Sequence, residues 1–99
     1  MAIPPELDLI EVLCGEDEPL WYAAVQLGSI EAAQPVVASL LNHGYIELFR
    51  NGEPTVHLQW REILADNASW APVQPKESST LWLRITVQGF ERYQREWSF

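Results

Sequence analysis

Residues 40–50 have the sequence LLNHGYIELFR, in which a helix ends and a strand begins. The apolar residues leading into it recur at the three- and four-residue spacing of an amphipathic helix: Ile30, Ala33, Val37, Leu40 and Leu41. Gly44 suits the left-handed residue that follows many helices. The β-branched and aromatic residues of 45–50 then favour a strand. This stretch predicts a helix from Ile30 to His43 that passes through a glycine directly into a strand.

The same patterns extend to both ends of the chain. Further helices are predicted over four segments, residues 5–14, 19–27, 59–67 and 87–97, and a second strand over 81–86. Asn51-Gly52 is a strong tight-turn signal, but Pro54 would interrupt a return strand unless that strand lies at a sheet edge. The prediction is one α+β domain over 1–99, with three N-terminal helices, a small antiparallel sheet, a C-terminal helix and a long helical insertion at 51–80.

This order of elements resembles a winged helix-turn-helix domain. Residues 40–48 resemble the end of a recognition helix entering the first wing strand, and 83–89 (LRITVQG) resemble the return strand and the start of a C-terminal helix in bacterial winged-helix regulators. Leu20-Trp21 and the Asp66–Trp70 segment are also similar to small bacterial winged-helix-like proteins. The resemblance implies a DNA-binding transcriptional regulator that uses its third helix.

The third helix departs from that expectation. It contains no Arg or Lys, whereas base and phosphate contacts depend mainly on Arg, Lys, Asn and Gln. Its possible donors to DNA are Gln34, Ser39, Asn42 and His43. The insertion at 51–80 is also much longer than a simple wing. The usual function of the fold therefore does not transfer automatically to this chain.

Charge is distributed unevenly along the 99 residues. The net charge is −8, and residues 1–49 contain eight acidic and no basic residues, while residues 50–99 contain six of each. Such an acidic half repels nucleic acid and anionic membranes. Any contact with DNA would use cations in or near the wing, with these candidates: Arg50, Arg61, Lys76 and Arg84. The alternative is that these charges are dispersed and only solubilise the surface.

Aromatic residues provide the alternative candidate site. The second helix is apolar on almost every side, which is typical of a helix that is central to a core or covered by a partner. The candidate interface residues come from this helix and the C-terminal segment: Trp21, Tyr22, Val25, Phe90, Tyr93, Trp97 and Phe99. They predict a homodimer or another protein partner. The alternative is that the insertion and the last helix cover them within the same chain.

Catalytic and metal-binding chemistry finds little support in the sequence. Cys14 lies on the apolar side of its helix, and one Cys with His43 and His57 does not make a zinc motif. We interpret Glu16, Asp17 and Glu18 as a solvated turn. Neither a secretory signal nor an apolar run long enough to span a membrane is visible. We therefore expect a cytoplasmic, non-enzymatic regulatory module without cofactors that acts through protein contact, with DNA binding through the wing as the alternative and a small enzyme as a distant one.

Overall fold

The computed structural model describes the backbone of residues 3–97 and the side chains of residues 3–96. It has the predicted α+β architecture. The helices of the described residues are α1 (Pro5–Gly15), α2 (Leu20–Leu27), α3 (Ile30–Asn42), α4 (His57–Ala65) and α5 (Val87–Trp97). The strands are β1 (Glu18–Pro19), β2 (Ile46–Arg50), β3 (Glu53–Pro54) and β4 (Leu81–Ile85). Two short 3-10 helices, Asn67–Trp70 and Lys76–Ser78, lie in the connection between β3 and β4.

The four strands form one antiparallel sheet in the order β1-β4-β2-β3. The central pair runs from Ile46 opposite Ile85 to Arg50 opposite Leu81. The residues of α1, α2 and α3 that point toward this sheet are fully buried and include Ile10, Leu20 and Leu40. The core therefore lies between the three N-terminal helices and the sheet.

Two turns with positive φ angles set the direction of β2. Gly44, at φ 76°, follows the end of α3 and allows the chain to enter the strand, as predicted. Asn51 and Gly52, at φ 52° and 82°, form the tight turn that the sequence indicated. The return strand β3 is only two residues long and pairs Glu53 with Arg50. Pro54 is compatible with it because β3 lies at the sheet edge.

The junction between β4 and α5 depends on Thr86 and Gly89. The Thr86 hydroxyl donates to the Gly44 carbonyl at 2.6 Å and accepts from the Gly89 N–H at 3.0 Å, so that it caps α5. Gly89 packs directly against the Tyr45 backbone, where a Cβ would meet the Tyr45 carbonyl oxygen. This close packing accounts for threonine and glycine at this spacing and joins α5 to the turn after α3.

The structure corrects several details of the sequence prediction. Residues 18–19 form the edge strand β1, whereas the sequence placed Glu18 in a solvated turn and Pro19 at the start of the second helix, which begins at Leu20. Helix α4 starts and ends two residues earlier than predicted, and the N–H of Val56 donates to the side chain of Gln59 at its start. Residues 67–70 instead form a 3-10 helix because the Asp66 carboxylate accepts from the Ala68 N–H at 3.0 Å. Local capping interactions of this kind override helical periodicity.

In the part of the chain that the structure describes, no single helix is long and apolar enough to cross a membrane. Helices α2 and α3 meet the length and composition only as a pair, and they are bent by 120° relative to each other.

Candidate interaction groove between α3 and α4

Helix α4, which belongs to the insertion, packs against α3 and leaves an open groove between the two helices. Its deeper part has a volume of about 230 Å³, and the adjoining, more open part has about 610 Å³. Both parts share Ala38, Arg61 and Leu64. The remaining lining residues are Gln34, Pro35, Asn42, His57, Trp60 and Ala65. The groove is mostly apolar, and its polar groups are a few amide, imidazole and guanidinium groups.

Hydrogen bonds fix the position of α4. The Leu64 carbonyl accepts from the Gln34 side chain at 2.7 Å and from the Trp70 indole N–H at 3.0 Å. Trp70 is 2% exposed. At the other end, the Trp60 indole donates to the Thr55 hydroxyl at 3.0 Å, and Thr55 donates to the Leu48 carbonyl at 2.7 Å. The groove is therefore pre-formed, with both ends of α4 tied to the body of the domain.

Apolar surface continues beside the groove. Leu58 is 83% exposed, the highest value among the large hydrophobic side chains that the structure describes. It precedes Ala65 by seven residues and therefore lies on the same side of α4. Pro35 is also exposed on the facing side of α3. An apolar depression with an exposed leucine at its margin is typical of a surface that binds another molecule.

The polar residues of α3 that were candidate DNA contacts are mostly engaged within the chain. The Gln34 amide donates to α4, and the His43 Nδ1 lies 2.7 Å from the Ser39 carbonyl while its ring stacks on Tyr45. The Ser39 hydroxyl lies 3.5 Å from a Glu6 carboxylate oxygen. Of the four residues, only Asn42 makes no such contact within residues 3–96. Helix α4 packs directly against α3.

The structure does not bring the four candidate cations together as one free patch. Lys76 contacts Glu18 and Glu16, at 2.8 and 3.7 Å, and Arg84 contacts Asp17 at 3.1 Å. Arg84 also lies over the Phe49 ring, 4.7 Å from its centroid. Arg50 and Arg61 are exposed and have no carboxylate partner within the described residues. Two of the four cations are therefore engaged with acidic residues from the N-terminal half.

The acidic triplet at 16–18 is a structural feature rather than a free turn. Glu18 is 4% exposed, and its hydrogen bond with Lys76 joins β1 to the 71–80 loop. This hydrogen bond and the attraction of the two carboxylates raise the pKa of Lys76 above its usual value. The second carboxylate oxygen of Glu18 is buried without a hydrogen-bond partner in the described region. The expectation of a solvated turn is wrong for Glu18.

The predicted aromatic interface is distributed over two helices. The 71–80 loop covers Trp21 and Tyr22: the Trp21 indole donates to the Ser79 hydroxyl at 2.9 Å, and the Lys76 ammonium lies 6.0 Å from the Tyr22 ring centroid. Val25 stays 61% exposed. On α5, Phe90 is 43% exposed, whereas Tyr93 is half-buried against the core. The side chain of Trp97 and the whole of Phe99 lie outside the described residues.

Three residues remain as candidates for catalysis or metal binding, and of these only His57 lines the groove. Cys14 is half-buried beside the core, and burial, with a smaller contribution from the Glu11 carboxylate, raises the pKa of its thiol. His43 and His57 are both exposed. Among the described residues, no group of three or more His, Cys, Asp or Glu side chains is arranged to hold a metal ion.

Sequence reasoning did not identify the groove as a site. On α4, Ile63 and Leu64 are buried, while Trp60 is half-buried at the groove wall. The usable signal was Leu58, an apolar residue that helical spacing does not place with Ile63 and Leu64. Comparison of the chain with protein-family models, curated proteins and solved structures gives no match.

Proposed function

We propose that this protein is a non-enzymatic, winged-helix-like interaction module that binds another protein through the groove between α3 and α4. The observation that carries the proposal is the pre-formed apolar groove with Leu58 exposed at its margin. The order of helices and strands supports the winged-helix resemblance. We further propose a regulatory role in the cytoplasm, where the single Cys14 would remain reduced.

Binding of DNA through the wing is the weaker alternative. Lys76 and Arg84 are ion-paired within the chain, so a phosphate would have to compete with Glu18 and Asp17 for them. Arg50 and Arg61 remain exposed without an ion-pair partner among the described residues, but two cations release few counterions on binding and give little affinity. The distribution of charge therefore favours a protein partner.

Site-specific photocrosslinking tests the proposal. We would place p-benzoylphenylalanine at Leu58, beside the groove, and in a matched variant at Val87, a residue of α5 that is 76% exposed. The reactive group covalently attaches to whatever lies next to it in the cell. We expect a discrete protein adduct from position 58 that position 87 does not give, and its mass distinguishes a second copy of this chain from another protein.

A blocking substitution provides the control. Ala65→Trp places a large side chain in the groove at an exposed position, and Ala71→Trp places one at an exposed position that does not line it. The adduct should disappear with Ala65→Trp and persist with Ala71→Trp. Equal adducts from positions 58 and 87, or no protein adduct at 58, would contradict the proposed function.

A further inference from the structure

Charge distinguishes the groove from the rest of this acidic chain. The sequence contains 14 acidic residues, yet none lines the groove. Its charged wall residue is Arg61, and the titratable His57 lies in the deeper part. Helices α3 and α4 each contain one carboxylate, Glu31 and Glu62, and both are exposed to solvent away from the lining. The lining of the groove therefore contains a cation and no carboxylate.

Arg61 is an unpaired cation within this apolar wall. Lys76, Arg84 and Arg92 each lie within 4 Å of a carboxylate oxygen. Arg50, Arg61 and Arg95 have no ion-pair partner among residues 3–96, and of these three only Arg61 lines the groove. Guanidinium groups bind carboxylates through paired hydrogen bonds, and this interaction strengthens when a partner excludes water. An arginine left free in a chain of net charge −8 is available for a carboxylate from outside.

The length of the groove along α3 corresponds to about two turns of a helix. From Gln34 to Asn42 it follows α3 for about 12 Å, which is a little over two helical turns. Apolar residues at positions i, i+3 or i+4, and i+7 of a bound helix cover about this distance. Trp60 and Leu64 would contact these apolar residues from α4, and Ala38 offers space because its side chain is small.

We propose that the groove binds an acidic amphipathic helix of a partner protein, with apolar residues packed on Ala38, Trp60 and Leu64 and a carboxylate that accepts from Arg61. This inference rests on the proposed function and specifies the chemistry of the partner. The net charge of the chain opposes an acidic partner at long range, but screening at physiological salt limits such repulsion to about 8 Å, so that the local cation dominates on contact.

Selection of peptides tests the chemistry. A display library of random peptides of about 16 residues, long enough for about four helical turns, is selected on the complete wild-type chain and counter-selected on Ala65→Trp. We expect enriched peptides to carry apolar residues at helical spacing and an excess of Asp and Glu over the starting library. Enrichment of neutral or basic peptides, of sequences that copy a segment of this chain, or of none would overturn the inference.

Charge exchange then locates the contact. The affinity of an enriched peptide, measured by fluorescence anisotropy, should fall about tenfold with Arg61→Glu, and a peptide with Lys in place of its critical acid should regain affinity for this variant. Arg50→Glu makes the same charge change at an exposed residue outside the groove. Its effect on the affinity for the peptide should be less than about threefold, which is less than half of the Arg61→Glu effect on a logarithmic scale. If both variants lose the same affinity, the peptide responds only to the net charge of the protein, and the proposed contact with Arg61 is wrong.

Failure of the partner chemistry and failure of the proposed function give different results. If the Leu58 adduct forms and Ala65→Trp abolishes it, but the selected peptides show no acidic preference, the groove binds a protein of other chemistry. If the Leu58 adduct also fails to form, the groove is not a protein-binding site. Circular dichroism of each variant verifies that it is folded, and Arg61→Gln provides a milder change at the same position.

Discussion

Glu18 is the least exposed charged residue that the structure describes, and its environment depends on Lys76. Burying one carboxylate oxygen without a hydrogen-bond partner costs free energy, and the ammonium 2.8 Å from the other oxygen offsets part of this cost. Because Lys76 lies in the 71–80 loop, the same ion pair holds the loop over Trp21 and Tyr22. One lysine therefore stabilises both an edge strand and the cover of α2.

Replacing Lys76 with Gln should lower the thermal stability, and the difference from wild type should depend on pH. Folding raises the pKa of this lysine above the 10.5 of the free side chain, so the stability that it contributes is complete below pH 10.5 and is lost as pH rises through the folded pKa. We expect a constant difference in Tm between pH 7 and 9 that shrinks above 10.5. A difference that is unchanged at high pH would contradict the role of the charge.

Gly89→Ala should destabilise the protein by about 3 kcal/mol, because the added methyl group would overlap the Tyr45 carbonyl oxygen, which cannot move without disrupting the junction between α3 and β2. Helix propensity alone predicts the opposite sign. Gly15→Ala is the control, since a Cβ at this helical position has no neighbour within 4 Å, and it should be neutral or stabilising by up to about 1 kcal/mol. Urea unfolding measures both changes, and equal effects would refute the steric explanation.

At the scale of elements, α4 depends on side-chain hydrogen bonds to its backbone as much as on burial. It buries only Ile63 and Leu64, and its first-turn residues are exposed. The Leu64 carbonyl, which accepts from Gln34 and Trp70, is the main polar connection between this helix and its neighbours. Groove geometry therefore depends on a few contacts at the C-terminal end of α4.

Gln34→Met should loosen α4 with little effect on the rest of the fold. The substitution keeps the length of the side chain but removes one hydrogen bond, for a loss of about 1 kcal/mol. Hydrogen exchange should increase in residues 57–70 and remain unchanged in β2 and β4, which form the centre of the sheet. Unchanged exchange in α4, or a uniform increase across the molecule, would show that this hydrogen bond does not hold the helix.

Elements that depend on residues close together in sequence could be predicted, whereas elements that depend on distant residues could not. Periodicity and the glycine at 44 were sufficient for α3 and β2 because both signals are local. Strand β1 was missed because its pairing with β4 joins residues far apart in sequence, Glu18 with Leu83. The groove was missed for the same reason: it requires that α4 packs on α3, and helical spacing shows which side of α4 is apolar but not what covers it.

For the whole molecule, the fold brings the two halves of the sequence together and pairs part of their charge. The acidic residues Asp17 and Glu18 meet Arg84 and Lys76, which come from the half that contains every basic residue. Pairing of this kind leaves fewer free cations on the wing side than the sequence suggests, and the net charge of −8 is not reduced by it. The long-range field of the folded protein remains acidic.

We expect no measurable binding to random-sequence duplex DNA, even at about 50 mM salt, where phosphate contacts are strong. Electrophoretic mobility shift with the wild-type chain is the measurement. Asp17→Asn and Glu18→Gln together would free Arg84 and Lys76 and serve as a sensitivity control, since any latent affinity should increase. Wild-type binding that weakens steeply with added salt would instead support the DNA-binding alternative.

The outer strands of the sheet have a consequence for how copies of this chain can meet. Strands β1 and β3 lie at its two edges, each has only two residues, and each ends in a proline, Pro19 and Pro54. Proline has no N–H to donate, so an additional strand finds few hydrogen-bonding groups at either edge. The edge strands β1 and β3 themselves therefore offer little template for sheet extension, the usual route to amyloid-like stacking.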